Sequence, residues 1–259
     1  GIMTASAMRS YLNQFGVIPG KKIAIFGNNS DAHRTARDLV NSGVEVVAMI
    51  DSRRGIQNEG DYPIYSGASV VGTSGRLCLR SISIQFEGKT KKIECDALGV
   101  SGGWNPSVHL TCHMNGRPTW DAQLSSFLPT KDAIPGMVVV GAAAGTMNTE
   151  GALLEGYKAA NDVLKDLGKR VAKFDLPKSE NRSYEIEPVW DVGRKSRSWV
   201  DFQNDVTTKD IKQSVQENFR SVEHMKRYTT QGMATDQGKN SNVVALAILA
   251  DTTGRGIAE

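Results

Sequence analysis

Lys22-Ile-Ala-Ile-Phe-Gly-Asn-Asn-Ser-Asp-Ala-His33, followed by Val44-Glu-Val-Val-Ala-Met-Ile-Asp51, decides the fold. The apolar run Lys22–Phe26 reads as a strand buried on both faces, and Gly27 breaks it. Asp31–Asn41 then reads as a helix with Ala36, Leu39 and Val40 on its inner face. Val44–Ile50 is a second buried strand, ending at Asp51. Strand, glycine turn, helix, strand is a βαβ unit, and short runs apolar on both faces imply a parallel sheet. A dinucleotide turn needs glycines because the backbone must bend tightly and approach a pyrophosphate at a helix N-terminus. Gly27 supplies the first glycine and Ala32 can serve for close helix packing. The second glycine position is Asn29, whose side chain is expected where a phosphate would lie, and Asp31 adds negative charge beside it. Asp51 holds the place of the ribose-binding acid, while Arg53 and Arg54 offer a 2′-phosphate contact instead. Two readings stand here, a nicotinamide-nucleotide site and an inherited turn that binds nothing; the degraded phosphate position favours a vestigial turn.

Outward from this unit, Thr4–Phe15 repeats apolar residues at helical spacing and ends at Gly16. Ser69–Thr73, Leu77–Phe86 and Lys91–Glu94 read as antiparallel strands with a turn at Gly88. Leu98–Val100 and Met137–Val140 are short apolar strands. Each precedes a glycine cluster, Gly102-Gly103-Trp104-Asn105-Pro106 and Gly141-Ala142-Ala143-Ala144-Gly145. Both clusters are therefore expected at the carboxyl edge of a parallel sheet, where ligands bind. A helix over Thr149–Leu167 follows the second, and its amide dipoles favour a polar or anionic group. Lys169–Val189 is polar and aperiodic, a linker or wrapping segment. Thr207–Asn218, Ser221–Tyr228 and Ser241–Thr252 read as three capped helices.

The 259 residues, 39% hydrophobic and 23% charged, are enough for a real core and one or two domains. A net charge of +3 gives no electrostatic case for nucleic acid. No apolar stretch reaches the roughly 20 residues of a spanning helix, so no membrane partner is expected. Cys78, Cys95 and Cys112 form no CxxC pair, which favours a reducing, cytoplasmic setting. His109, Cys112 and His113 have a metal-like spacing but no second ligand pair, so no metal is assigned. Asp201 and Asp205 read as capping or inter-helix groups rather than an acid/base pair, and Lys226-Arg227-Tyr228 as an exposed contact face. Trp104, Trp120, Trp190 and Trp199 read as core or interface anchors. No catalytic residue is assigned.

Several longer motifs carry a resemblance. Gly102–Pro106 and Gly136–Gly145 look like the returning segments of the two-dinucleotide-binding-domain flavoprotein fold. Met8-Arg-Ser-Tyr-Leu-Asn13 with Phe15-Gly-Val17, Trp199-Val-Asp-Phe-Gln-Asn-Asp-Val-Thr207 and His224–Lys239 are narrower. Together they resemble the alpha-subunit family of heterotetrameric sarcosine oxidases, over essentially the whole chain. That resemblance implies an internal fragment, and Gly1-Ile2-Met3 reads neither as a targeting peptide nor as an initiation site. It implies a complex that oxidises sarcosine to glycine, with formaldehyde or methylene-folate and hydrogen peroxide as the other products. It places FAD in the beta subunit, FMN at the alpha–beta boundary and an unconsumed NAD in the alpha subunit. The implied partners are the beta, gamma and delta subunits and a folate domain of the same subunit.

Carried over by position, the NAD contacts are Gly102, Gly103, Trp104, Gly141, Ala142 and Gly145. Flavin-binding relatives carry an aspartate at the position of Ala142, so the resemblance implies NAD or nothing there rather than FAD. The first glycine fingerprint of the family is not in this sequence, so the fragment alone is expected not to bind NAD measurably. The tail resembles a small helical iron–sulfur module, but the positions matching its cysteines are Asp201, Gln203, Asp236 and Ser241. With no thiolate among them, no cluster is expected. The expected fold is thus α/β, a partial two-dinucleotide-binding-domain flavoprotein followed by a small all-helical module. Residues 1–20 and 96–168 are assigned to the first domain, 21–95 to an inserted second one, 169–198 to a linker and 199–259 to the helical module. The alternatives are a subunit of another amino-acid or opine dehydrogenase assembly, and a nucleotide-fold scaffold without activity.

Overall fold

The chain begins on a short strand, β1 (Ile2–Thr4), and the Thr4 hydroxyl accepts from the Ala7 amide to cap helix α1 (Ala5–Phe15). Gly16 ends α1 in the left-handed conformation. The βαβ unit is present as β2 (Lys22–Gly27), α2 (Ser30–Asn41) and β3 (Glu45–Asp51). After them come β4 (Ile64–Ser66) and the antiparallel β5 (Ser69–Ser74), β6 (Ser81–Phe86) and β7 (Lys89–Glu94). β8 (Ala97–Ser101) returns to the parallel sheet. In this computed structural model every residue is described except 58–59, 172, 180–181 and 194–196.

The parallel sheet has the order β1-β8-β2-β3-β4. One face packs α1 and α2 through Met8, Ile23, Ile25, Leu39 and Met49. The other packs the three-stranded sheet through Ala24, Ala48, Ile50, Ile82 and Ile84. Alternate residues of β2 thus go to opposite cores, which is why the run reads as continuously apolar. Gly99 permits the approach of α1, since a Cβ there would stand 2.7 Å from Ile25 Cδ1 and 2.9 Å from Met8 Sδ.

One expected division gives way. β1 and β8 lie in the same sheet as β2 and β3, so 1–20 and 96–101 build one domain with 21–95 instead of a separate one. The physical reason is that β8 buries Leu98 and Ala97 only by sitting between β1 and β2, with partners on both edges.

The chain continues through α3 (His109–His113), a hairpin of β9 (Thr119–Asp121) and β10 (Ser126–Leu128), and a 3-10 turn over Gly141–Ala144. It then enters α4 (Thr149–Asp166), capped by Asn148. The strand expected over Met137–Val140 does not form. Val140 is extended, but no strand among the described residues lies beside the run, and Val138 is exposed. A strand needs a partner edge, and among the described residues β9 and β10 pair only with each other. Similarly, α4 buries no residue.

Val189–Glu259 forms a second compact unit. It holds the β11 (Trp199–Asp201) and β12 (Val206–Thr207) hairpin, then α5 (Thr208–Gln216), α6 (Val222–Thr229) and α7 (Asn242–Thr253). Its core is Val200, Val206, Ile211, Met225, Ala245, Ile248 and Leu249. Thr207 and Asp210 complete a reciprocal capping box at the start of α5. No helix among the described residues is long and apolar enough to cross a membrane.

Candidate functional site

The glycine turn between β2 and α2 is built for packing. A Cβ on Gly27 would lie 2.4 Å from Ala32 Cβ, so glycine and alanine together bring the helix onto the strand. Asn29 does not point toward a ligand. Its Oδ1 accepts from the Asp31 amide at 3.0 Å and the Ser101 hydroxyl at 3.1 Å, and its Nδ2 donates to the Ser101 carbonyl at 2.9 Å. The fully buried side chain caps α2 and bolts the turn to β8. That overturns the expectation that it projects into the phosphate place.

Asp51 is likewise committed inward. Its Oδ2 lies 2.7 Å from His33 Nε2 and accepts from Arg53 Nη2 at 2.8 Å, while Oδ1 accepts from the Arg53 amide and Nε. Burial pushes the Asp51 carboxyl up, but the hydrogen bonds from His33 and Arg53 outweigh it and hold the group below the usual aspartate range. A carboxylate saturated in this way has no face left for a ribose, and Arg53 is spent on it.

The polar stretch after α4 wraps over this turn. Glu185 accepts through its carbonyl from the Ser30 amide at 3.0 Å and from Arg53 Nη1 at 3.1 Å. Its own amide donates to the Ser30 hydroxyl, Ile186 bridges Asn29 in antiparallel fashion, and the Glu187 amide donates to the Asn28 carbonyl. A backbone carbonyl of the protein therefore takes the free amide at the start of α2 that a dinucleotide phosphate would take.

Beside this strap lies a cleft of about 420 Å³, where Trp104 and Ala142 meet Arg9, Asp31, Arg34 and Tyr184. The Trp104 indole donates to Asp31 Oδ2 at 3.3 Å and its amide to the Tyr184 hydroxyl at 3.3 Å. Arg9 holds the other oxygen of Asp31 and also Asp38. Burial pushes the Tyr184 phenol up to about 12. Trp104 remains 48% exposed, so an aromatic face is available to a ligand.

The other expected contacts divide. Gly102 and Gly103 lead into the cleft, and Gly103, at φ 104°, leaves room for Ile186, whose Cδ1 would be 2.4 Å from a Cβ there. The Gly141 amide donates to Glu155 Oε2 at 2.8 Å, and the same carboxylate accepts from the Thr146 hydroxyl. Gly145 packs against Leu124 and Leu128 and does not line the cleft.

In the helical unit, Asp201 accepts from the amides of Gln203, Asn204 and Gly232. Gln203 accepts from the Thr235 hydroxyl at 2.7 Å, Asp236 accepts from the Gly238 amide, and Gln231 donates to the Ser241 hydroxyl at 2.7 Å. The four positions matched to cluster cysteines thus serve as hydrogen-bonding groups within and between two loops. No group of three His, Cys, Asp or Glu side chains among the described residues is placed to hold a metal ion.

The Sarcosine oxidase A3 domain family matches residues 195–259. Over its full length the chain is 41% identical, across 264 aligned residues, to a Rhizobium meliloti (strain 1021) protein named sarcosine oxidase subunit alpha, of which it covers 27%. A protein of the same name from Corynebacterium sp. (strain U-96) is 34% identical over 98% of this chain, which covers 28% of it. The chain thus spans little more than a quarter of the length of these relatives. The crystal structure of L-proline dehydrogenase from P. horikoshii matches with a TM-score of 0.70 at 18% identity, over 100% of this chain and 50% of that one. That likeness shows the α/β flavoprotein-type fold expected from the sequence.

Proposed function

This chain belongs to the family of sarcosine oxidase alpha subunits, and from that premise we propose that it houses a nicotinamide dinucleotide and scaffolds a flavin-bearing oxidoreductase complex. The complex oxidises sarcosine, or a close N-methyl amine, to glycine, with formaldehyde or methylene-folate and hydrogen peroxide as products. FAD lies in the beta subunit and FMN at the alpha–beta boundary. The gamma and delta subunits and a folate domain of the same polypeptide complete the assembly, which is cytoplasmic.

The observation that carries the reading is the cleft that Trp104 and Ala142, from distant stretches of chain, line together with Arg9 and Arg34. These residues fit a nucleotide. The Trp104 face stacks a base or nicotinamide ring, and the Arg34 guanidinium meets phosphate charge, Arg9 being held by Asp31 and Asp38. They do not fit FAD, since the Ala142 methyl supplies no acceptor for the polar chain of a flavin. A bound dinucleotide would supply packing and charge to the subunit. The chain's own residues position it, with Asp31 fixing the indole of Trp104 and Tyr184, neutral at physiological pH, closing one wall.

Mass spectrometry of nucleotides released from the full complex tests this. NAD is expected in stoichiometric amount from the wild type and at least about tenfold depleted in a Trp104→Ala variant. Full NAD retention in that variant, or no NAD in the wild type, would sink the proposal. The second reading, a scaffold without a nucleotide, draws on the inward commitment of Asp51 and Asn29 and is the outcome of the latter result.

A further inference from the structure

Between the run Met137–Val140 and helix α4 lies a cleft of about 440 Å³, with Ile134 and the run on its wall together with Ala159 of α4. The run has the composition of a central strand, four apolar residues of which three are β-branched. Val140 is extended, yet among the described residues the amides of Val138, Val139 and Val140 donate no hydrogen bond. Val138 is 62% exposed. Backbone groups in such an apolar stretch find partners in a folded protein, and in an extended run those partners are a neighbouring strand.

Helix α4 lacks a partner as well. It is 18 residues long and buries none of them, and Leu154, Val163 and Leu167 stand exposed. A helix in a globular protein owes most of its stability to an apolar face packed on another layer. The run, the 3-10 turn and α4 follow one another as β2, the glycine turn and α2 do, the order of a strand whose helix packs back on the sheet. One missing layer, a parallel sheet beside the run, would supply both the acceptors for the three amides and the cover for the helix.

We propose that Met137–Val140 is a strand of a second sheet, and that its neighbour is an extended apolar strand from the alpha-subunit polypeptide outside these 259 residues. Such polypeptide exists in the relatives. This chain covers 27% of the Rhizobium meliloti protein, and 50% of the L-proline dehydrogenase chain whose fold it matches throughout. The run ends at the turn that carries Ala142 into the Trp104 cleft, so seating the strand also fixes one wall of that cleft.

Hydrogen–deuterium exchange on the complete alpha subunit, alone and in the assembled complex, tests the proposal. The amides of Val138–Val140 are expected to exchange at least about a hundredfold slower than in an unstructured peptide, in both samples. Near-free exchange in both overturns it. Protection that appears only in the complex assigns the covering strand to another subunit, and protection that is lost on dilution to a monomer assigns it to a second copy; either overturns it. Val138→Thr, which keeps the shape and adds a hydroxyl, is expected to lower the urea midpoint of the complete subunit. An unchanged midpoint would mean that Val138 stays in water, and would also overturn it. The inference rests on family membership and not on the nucleotide reading, and neither readout depends on NAD, so the two fail separately.

Discussion

Asp51 shows how a residue with a cofactor-like position can be spent on structure. It ends the second strand of a Rossmann-like unit, where a ribose-binding acid stands in dinucleotide enzymes, yet it is buried and bonded to His33 and Arg53. Asp51→Asn leaves the Arg53 guanidinium buried without its counter-charge. The expected loss is about 3–5 kcal/mol of unfolding free energy, read from urea transitions at neutral pH. The sign with pH follows from the lowered carboxyl pKa. The contribution of Asp51 is fully present above the ordinary aspartate value of about 4 and is lost as pH falls through the lower folded value. The wild type is therefore expected to lose stability on acidification more steeply than Asp51→Asn. Parallel curves down to the acid transition would contradict the assignment.

Helix α2 is the element on which packing and recognition meet. Its inner face carries Ala32, Ala36 and Leu39 into the core, its start is fastened by Asn29 and the strap, and its outer side carries Arg34 to the Trp104 cleft. The close approach to β2 depends on Gly27. A Gly27→Ala chain would place two methyl groups 2.4 Å apart, so the helix must move. Destabilisation of about 1–3 kcal/mol is expected, measured by thermal or urea unfolding. An unchanged midpoint would show that α2 floats more freely than its packing implies. The strap behaves as an element too, although it has almost no regular structure. Its bridge at Ile186 and its backbone bonds to Asn28 and Ser30 make it part of the first unit, a role that composition alone leaves open between linker and wrapping segment.

At the scale of the molecule there are two compact units, Gly1–Pro188 and Val189–Glu259. The second has its own apolar core and a capping box, and Trp190 packs against that core from outside the hairpin and helices. Residues 189–259 expressed alone are expected to give a helical circular-dichroism spectrum and one cooperative unfolding transition; a disordered spectrum would show that the unit needs its neighbour. The βαβ unit, the antiparallel strands and the three tail helices were all legible in the sequence, because periodicity, glycine stops and hydroxyl caps act within a few residues. Met137–Val140 misleads for the same reason: strand-like composition cannot report whether a partner edge exists. The candidate site was legible in part. Trp104 and Ala142 could be found by resemblance, whereas Arg34 looks like an ordinary solvated charge until the chain is folded. What the sequence alone determined is the order of elements and the family, since both rest on local pattern and residue identity. Only the tertiary structure decided that Asn29 and Asp51 face inward, that Glu185 caps the nucleotide turn and that Arg34 lines the Trp104 cleft. Those facts depend on contacts such as Ser30 with Glu185, 155 residues apart, and Arg53 with Glu185, 132 apart, which local pattern cannot encode.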